Sequence, residues 1–152
     1  MPKTPSALPD HLGYWLRKLS NAVSASFAAR LALHDVTVPQ WVVLRVLFDQ
    51  DSVPLKDIVA RVEVDQGSLS RMVERLMARG WVQRTADPSD RRAVAISLTP
   101  IGRSLVPKLA AEADKNDQAF FAGLSPTERE KLLRTMQKLL AQNHSDERSP
   151  VA

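Results

Sequence analysis

Residues 65–80 read DQGSLSRMVERLMARG, and residues 81–98 continue WVQRTADPSDRRAVAISL. In the first stretch Leu69, Met72, Val73 and Leu76 recur at intervals of three and four, the spacing that gathers side chains on one face of an α-helix. Asp65 supplies an N-cap oxygen and Gly80 a C-terminal stop, so the pattern predicts a helix over about Gln66 to Arg79. At Trp81 the period changes from helical to alternating. Residues 81–85 and 93–98 read as two strands around the turn-rich segment Asp87 to Arg92, a β-hairpin with a long charged tip.

Working outward, a short helix is expected from Leu55 to Val62. Helix, turn, helix and hairpin in that order form a winged helix-turn-helix, so the fold class is mainly α with a small β-hairpin wing. A helix from Pro39 to about Gln50 leads into this unit. Before it, Leu12, Leu16, Leu19, Val23, Phe27 and Leu31 predict a long amphipathic helix from Asp10 to about His34. After it, Thr99 caps a helix reaching about Ala122, with a kink or break expected at Pro107. Ser125 and Glu128 form a capping box for a last helix to about Asn143, where Leu132, Leu133, Met136, Leu139 and Leu140 share a stripe. Residues 39–99 thus read as a winged helix-turn-helix, and 10–38 with 100–143 as a helical scaffold. Residues 1–9 and 144–152 read as flexible tails. Apolar stripes at both chain ends must bury against something, whether the chain itself or a second copy.

Composition narrows the function. With 152 residues and ordinary apolar and charged fractions, the chain is long enough to bury a core. The absence of cysteine removes disulfides, thiolate nucleophiles and Cys-based metal sites, and the three histidines lack metal-ligand spacing. Neither a secretion signal nor a membrane-length apolar run is present, which reads as cytoplasmic. No nucleophile–base pair, paired carboxylates or Gly-rich phosphate loop appears, so an enzyme is not expected and no cofactor is called for. The net charge of +4 is unevenly spread: residues 55–103 hold nine Lys and Arg against six acids, whereas residues 104–152 balance at seven each. A basic middle third on a near-neutral scaffold fits a module that faces phosphates.

On the 66–79 helix, Gly67, Ser70, Arg71 and Glu74 turn away from the apolar stripe, with Gln66 and Ser68 near its start. Small polar residues around an arginine suit a major groove, where Arg bonds guanine bidentately. On the hairpin, Asp90, Arg91 and Arg92 present charge on a narrow projection, and an Arg there suits a narrow minor groove.

These segments carry a resemblance. Residues 65–80 look like the recognition helix of the multiple-antibiotic-resistance-regulator (MarR) family, and residues 87–102 resemble that family's wing. The most specific parts are the Asp90-x-Arg92 pair and the Leu98-Thr-x-x-Gly102 close. Residues 12–17, LGYWLR, and 38–44, VPQWVVL, are similar to its first helix and the start of its second. The likeness spans residues 10–143. It implies a homodimer whose terminal helices interlock, with 10–38 and 100–143 as dimerisation domain, and a repressor that binds a pseudo-palindromic double-stranded DNA operator.

By the same likeness, Ser68, Ser70 and Arg71 read the major groove and Arg92 enters the minor groove. Gln66, Arg75, Asp90 and Arg91 complete the expected DNA-binding set. A small aromatic or phenolic anion is the expected effector, with His11, Trp15, Arg17, Trp41 and Arg45 as candidate ligand-binding residues. Two departures stand out: Pro54 replaces a usual Ser or Thr cap, and Gly67 replaces a usual Ser. The competing reading is a winged-helix protein-interaction module that never touches DNA. It predicts no steep salt dependence of nucleic-acid binding.

Overall fold

The structure, a computed structural model, describes residues 3–62, 64–87 and 89–144. A 3-10 turn at Leu8–Asp10 precedes α1 (Leu12–Ala32), α2 (Val38–Phe48), β1 (Val53–Pro54), α3 (Leu55–Val62), α4 (Gln66–Ala78), β2 (Val82–Asp87), β3 (Asp90–Leu98), α5 (Pro100–Phe120) and α6 (Pro126–His144). The architecture is the expected one, helices with a small antiparallel wing. The chain divides into two compact units, Met1–Asn116 and Asp117–Ala152. The expected tail beyond Asn143 lies almost wholly outside the described residues. No described helix is long and apolar enough to cross a membrane.

The core of the first unit is built from the predicted stripes. Leu69, Val73 and Leu76 of α4 are buried with Val43, Leu44 and Leu47 of α2, Ile58 of α3, Ile96 of β3 and Val106 and Leu109 of α5. Burying each such Leu or Ile contributes about 1.5–3 kcal/mol. On α1 only Leu31 is buried; Leu12, Leu16 and Leu19 of the same stripe stand exposed. Ser26 donates to Asn116 at 2.5 Å, while Arg30 and His34 lie 3.8 and 3.6 Å from Glu112, so polar contacts join α1 to α5.

Four local expectations need correction. The wing is a three-stranded sheet of order β1-β3-β2, with Val53 opposite Ile96 and Pro54 opposite Ala95. Pro54 ends this edge strand and directly precedes α3, so the position before the helix is also part of the sheet. The hairpin tip differs from a simple charged turn: β3 begins at Asp90, but the register shifts between Ala86 and Asp87, so Arg91, Arg92 and Ala93 bulge out with no partner on β2. Asp87 closes the turn by accepting from the N–H and hydroxyl of Ser89 at 2.9 and 2.7 Å. α5 runs through Pro107 unbroken, with Val106 and Leu109 buried on either side. Lastly, α2 begins at Val38 behind a capping box of Thr37 and Gln40, a pattern present in the sequence but not read there.

One junction fixes α4 relative to the wing. Gly80, at φ +74°, ends α4 in a Schellman motif: its N–H donates to Met77, and that of Trp81 to Leu76. The Trp81 carbonyl accepts from the Thr99 N–H at 3.0 Å, and the Thr99 hydroxyl donates to the Gly80 carbonyl at 2.5 Å while capping Gly102 at 3.1 Å. A Cβ on Gly102 would stand 2.0 Å from the Trp81 carbonyl oxygen. The glycine of the Leu-Thr-x-x-Gly pattern is thus required by a backbone crossing.

Gly102→Ala is expected to cost at least about 1–3 kcal/mol in urea unfolding, the usual range for overpacking, because the clash is with backbone. Ser97→Ala is expected to move the other way. Its hydroxyl is buried without a partner among the described residues, so removing it should leave stability unchanged or raise it by about 1 kcal/mol. A destabilised Ser97→Ala would mean that the hydroxyl has a bonding role.

Candidate nucleic-acid interface

The surface of α4 is organised by its N-cap. Asp65 accepts from the Ser68 N–H at 2.8 Å and from the Ser68 hydroxyl at 2.6 Å, and Arg71 reaches back to Ser68 Oγ at 3.4 Å. The two bonds from Ser68, side chain first, with the charge of Arg71 assisting, hold the Asp65 carboxyl below its ordinary value of 3.8. Gly67 leaves this network room, since a Cβ there would lie 3.3 Å from Asp65 Oδ1 and 3.8 Å from Arg71 Nη1.

Gly67, Arg71, Glu74 and Ala78, spaced by four, three and four, form the exposed ridge of α4. A groove of about 350 Å³ flanks it on the α2 side, lined by Thr37, Gln40, Ser68, Arg71 and Arg75. On the wing side Ser70 is half-buried beside Arg84 and Val94, a correction to its expected outward place. Further along that side, Gln66 faces Lys56 and Arg92. Arg84 also lies 3.7 Å from Glu74. Both groups are exposed, so the pair adds little stability, but it sets a cation beside the one carboxylate on the ridge.

The wing brings Arg84 and Arg92 beside α4. Asp90 Oδ1 accepts from the Arg92 backbone N–H at 2.9 Å, holding the strand rather than the guanidinium. Arg92 borders the groove beside Gln66 together with Ala93 and Val94, and Arg91 is not among the residues lining that groove. Both are exposed, and among the described residues neither has an ion-pair partner. The structure thus gathers Gln66, Ser68, Ser70, Arg71, Arg75 and Arg92 around α4. It adds Gln40, Lys56 and Arg84, which sequence reasoning missed. Alternation along β2 and the Thr37-x-x-Gln40 box were the available signals.

The five effector candidates do not form one cluster within a chain. His11 Nδ1 lies 3.0 Å from the Ala7 carbonyl, and the Trp15 indole donates to the Pro9 carbonyl at 2.9 Å, with Arg17 exposed nearby on α1. Trp41 is half-buried and meets Phe27 edge-on at 6.2 Å. Phe27 is about 18 Å along α1 from Trp15, at about 1.5 Å per residue. Arg45 pairs with Asp49 at 2.9 Å and lies over the Phe48 ring. One continuous helix keeps the two groups apart.

A capped recognition helix braced against a three-stranded wing defines a winged helix-turn-helix protein. The MarR family model matches residues 36–94. The HTH-type transcriptional repressor NicR of Pseudomonas putida is 30% identical over 137 residues, covering 90% of this chain and 87% of that protein. Among solved structures, Bordetella bronchiseptica BpsR, described with regulation of its DNA binding by 6-hydroxynicotinic acid, is 34% identical with a TM-score of 0.82, covering 90% of this chain and 97% of that one. A mutant MarR from E. coli complexed with operator DNA is 25% identical with a TM-score of 0.79, covering 85% and 93%. The chain belongs to the MarR family of transcriptional regulators, a family of regulators rather than enzymes.

The Asp65 cap has a pH signature. A carboxyl that titrates lower when folded stabilises fully above its ordinary value of 3.8, and the contribution disappears as pH falls through the lowered folded value. Asp65→Asn keeps a cap of similar rank but removes the charge. The stability gap between wild type and Asp65→Asn should be constant near neutrality and should shrink below about pH 4. A gap independent of pH would contradict this origin.

Proposed function

We propose that the protein is a cytoplasmic, sequence-specific DNA-binding repressor that acts as a homodimer on a pseudo-palindromic operator and is released by a small aromatic or phenolic anion. One observation carries the reading: an exposed Gly67–Arg71–Glu74 ridge lies beside a strand bearing Arg91 and Arg92, which have no ion-pair partner among the described residues. In this reading α4 enters the major groove. Arg71 reads a base there, Ser68 and Ser70 line the helix flanks, and Gln66 and Arg75 reach the bordering strands. Arg92 enters the adjacent minor groove, Asp90 sets its backbone and Arg91 meets phosphate.

Dimerisation is supported by apolar surface that each terminal element leaves open. On α1, Leu12, Trp15, Leu16 and Leu19 are exposed, and on α6, Leu133, Met136, Leu139 and Leu140. Residues 10–38 and 100–143 would form the dimer scaffold, and 39–99 the DNA-binding part. Light scattering should then give twice the 16.9 kDa chain mass.

The name of NicR supports repression, and 6-hydroxynicotinic acid acting on BpsR supports a hydroxylated aromatic carboxylate. His11 at the start of α1 with Trp15 and Arg17 on it, and Trp41 and Arg45 on α2, are two places where an aromatic ring and a cation occur together. Either would need helices of a second copy to enclose a ligand.

The test is footprinting on the DNA upstream of the protein's own gene, repeated with a panel of aromatic acids. Two symmetric half-sites, lost with one of the acids, are expected; no protected site would sink the proposal. Arg71→Ala should cost roughly 1–3 kcal/mol at one operator position and relax the base preference there. Arg92→Ala should weaken binding most where the flanks are A·T-rich, since a narrow minor groove has the deeper negative potential. Equal losses on every flank would make Arg92 a plain phosphate contact.

A further inference from the structure

Two adjoining grooves of a duplex are separated by one sugar–phosphate strand. A protein that puts a helix in one groove and a hairpin in the next must leave a passage for that strand between the two elements. On this chain the passage exists. Between α3, α4 and β3 runs a groove of about 240 Å³, walled by Pro54, Leu55, Lys56, Gln66, Arg92 and Val94. Its apolar walls suit deoxyribose, and its exposed polar residues come from three different elements.

Lys56 is the residue without another explanation. It is exposed on the first turn of α3, and among the described residues it has neither an ion pair nor a hydrogen bond. It is also the only lysine among the nine basic residues of segment 55–103. Asp87, buried at the hairpin turn, feels the Lys56 charge at longer range. Lys56 lines the groove together with Gln66 of α4 and Arg92 of β3. Gln66 opens α4 on the opposite wall and carries two amide donors.

We propose that this groove seats the phosphodiester strand dividing the two recognised grooves, with Lys56 neutralising one phosphate and the Gln66 amide donating to the same phosphate. The Arg92 guanidinium then passes over the strand into the minor groove. Lys56 becomes a DNA contact in its own right, and Gln66 a contact to phosphate rather than to a base. The inference rests on the DNA-binding reading above and adds the path of the backbone. A lysine suits the role, being a compact point charge that neutralises phosphate without demanding bidentate geometry.

The experiment uses the full chain and a duplex that the wild-type protein selects from a random pool. Affinities are measured across a salt series for wild type, Lys56→Met and Lys56→Arg, with thermal melting as the control on folding. Each phosphate neutralised on B-DNA contributes about 0.9 to the slope of log K against log salt. Lys56→Met should lower the slope by about 0.9 per bound chain. It should leave the selected sequence and the preference for A·T-rich flanks unchanged, and Lys56→Arg should restore the slope.

An unchanged slope in Lys56→Met overturns the clamp. An unchanged slope with a lost flank preference does so too, because Lys56 would then act only by bracing the wing through Asp87. A slope that Lys56→Arg fails to restore is equally fatal, since it would show a packing effect. If the wild-type chain selects no duplex at all, the DNA-binding reading fails first and the clamp with it.

Discussion

The close passage of two backbones at Trp81 and Gly102 is the constraint from which the rest of the first unit follows. α4 ends, β2 begins, β3 ends and α5 begins within this one contact. The Trp81 carbonyl takes the Thr99 N–H, and the Thr99 side chain bonds Gly80 on one side and Gly102 on the other. Arg79 reinforces it from outside, its guanidinium 3.8 Å from the Trp81 ring centroid and bonded to the Asp35 carbonyl in the turn between α1 and α2. A helix and a hairpin joined by a single flexible linker would find two grooves independently, at an entropic cost in each binding event. Joined through this knot of short bonds and a buried indole, they arrive in a set orientation, and that ordering is already paid for in folding.

The electrostatics follow the same geometry. Carboxylates near α4 and the wing are engaged: Asp65 by Ser68, Asp87 by Ser89, Asp90 by the Arg92 backbone and Glu74 by Arg84. The cations at Lys56, Arg91 and Arg92 have no such partners among the described residues. A surface that occupies its acids internally and leaves its bases free attracts a polyanion without a large net charge, which accounts for a chain of only +4. α5 and α6 present a different balance, with ion pairs such as Arg134 to Glu130 and Arg129 to Asp117.

Much of this was legible in the sequence, because the deciding signals were local. The α4 stripe, its Asp65 cap, the Gly80 stop and the Ser125–Glu128 box each depend on residues within one or two turns, and all appear in the structure. What escaped depends on contacts distant in the chain. β1 is two residues long and exists only because Val53 and Pro54 find Ile96 and Ala95. Arg84 joins the α4 surface only when β2 is laid beside it, and Ser70 turns toward the wing for the same reason. Trp15 and Trp41 look alike in sequence, yet the indole of one donates to the Pro9 carbonyl ahead of α1 while the other packs on Phe27. A family resemblance carried fold and class well, but it could not say which aromatic residues meet in space.

The central claim is that one rigid unit grips two adjacent grooves, and dimethyl sulfate protection on the bound duplex tests it most directly. The reagent methylates guanine N7 in the major groove and adenine N3 in the minor groove. In each half-site the account predicts guanine protection facing α4 and adenine protection about half a helical turn away, facing the wing, with both lost together as the protein is titrated off. Protection confined to one groove, or protections that disappear at different protein concentrations, would contradict it.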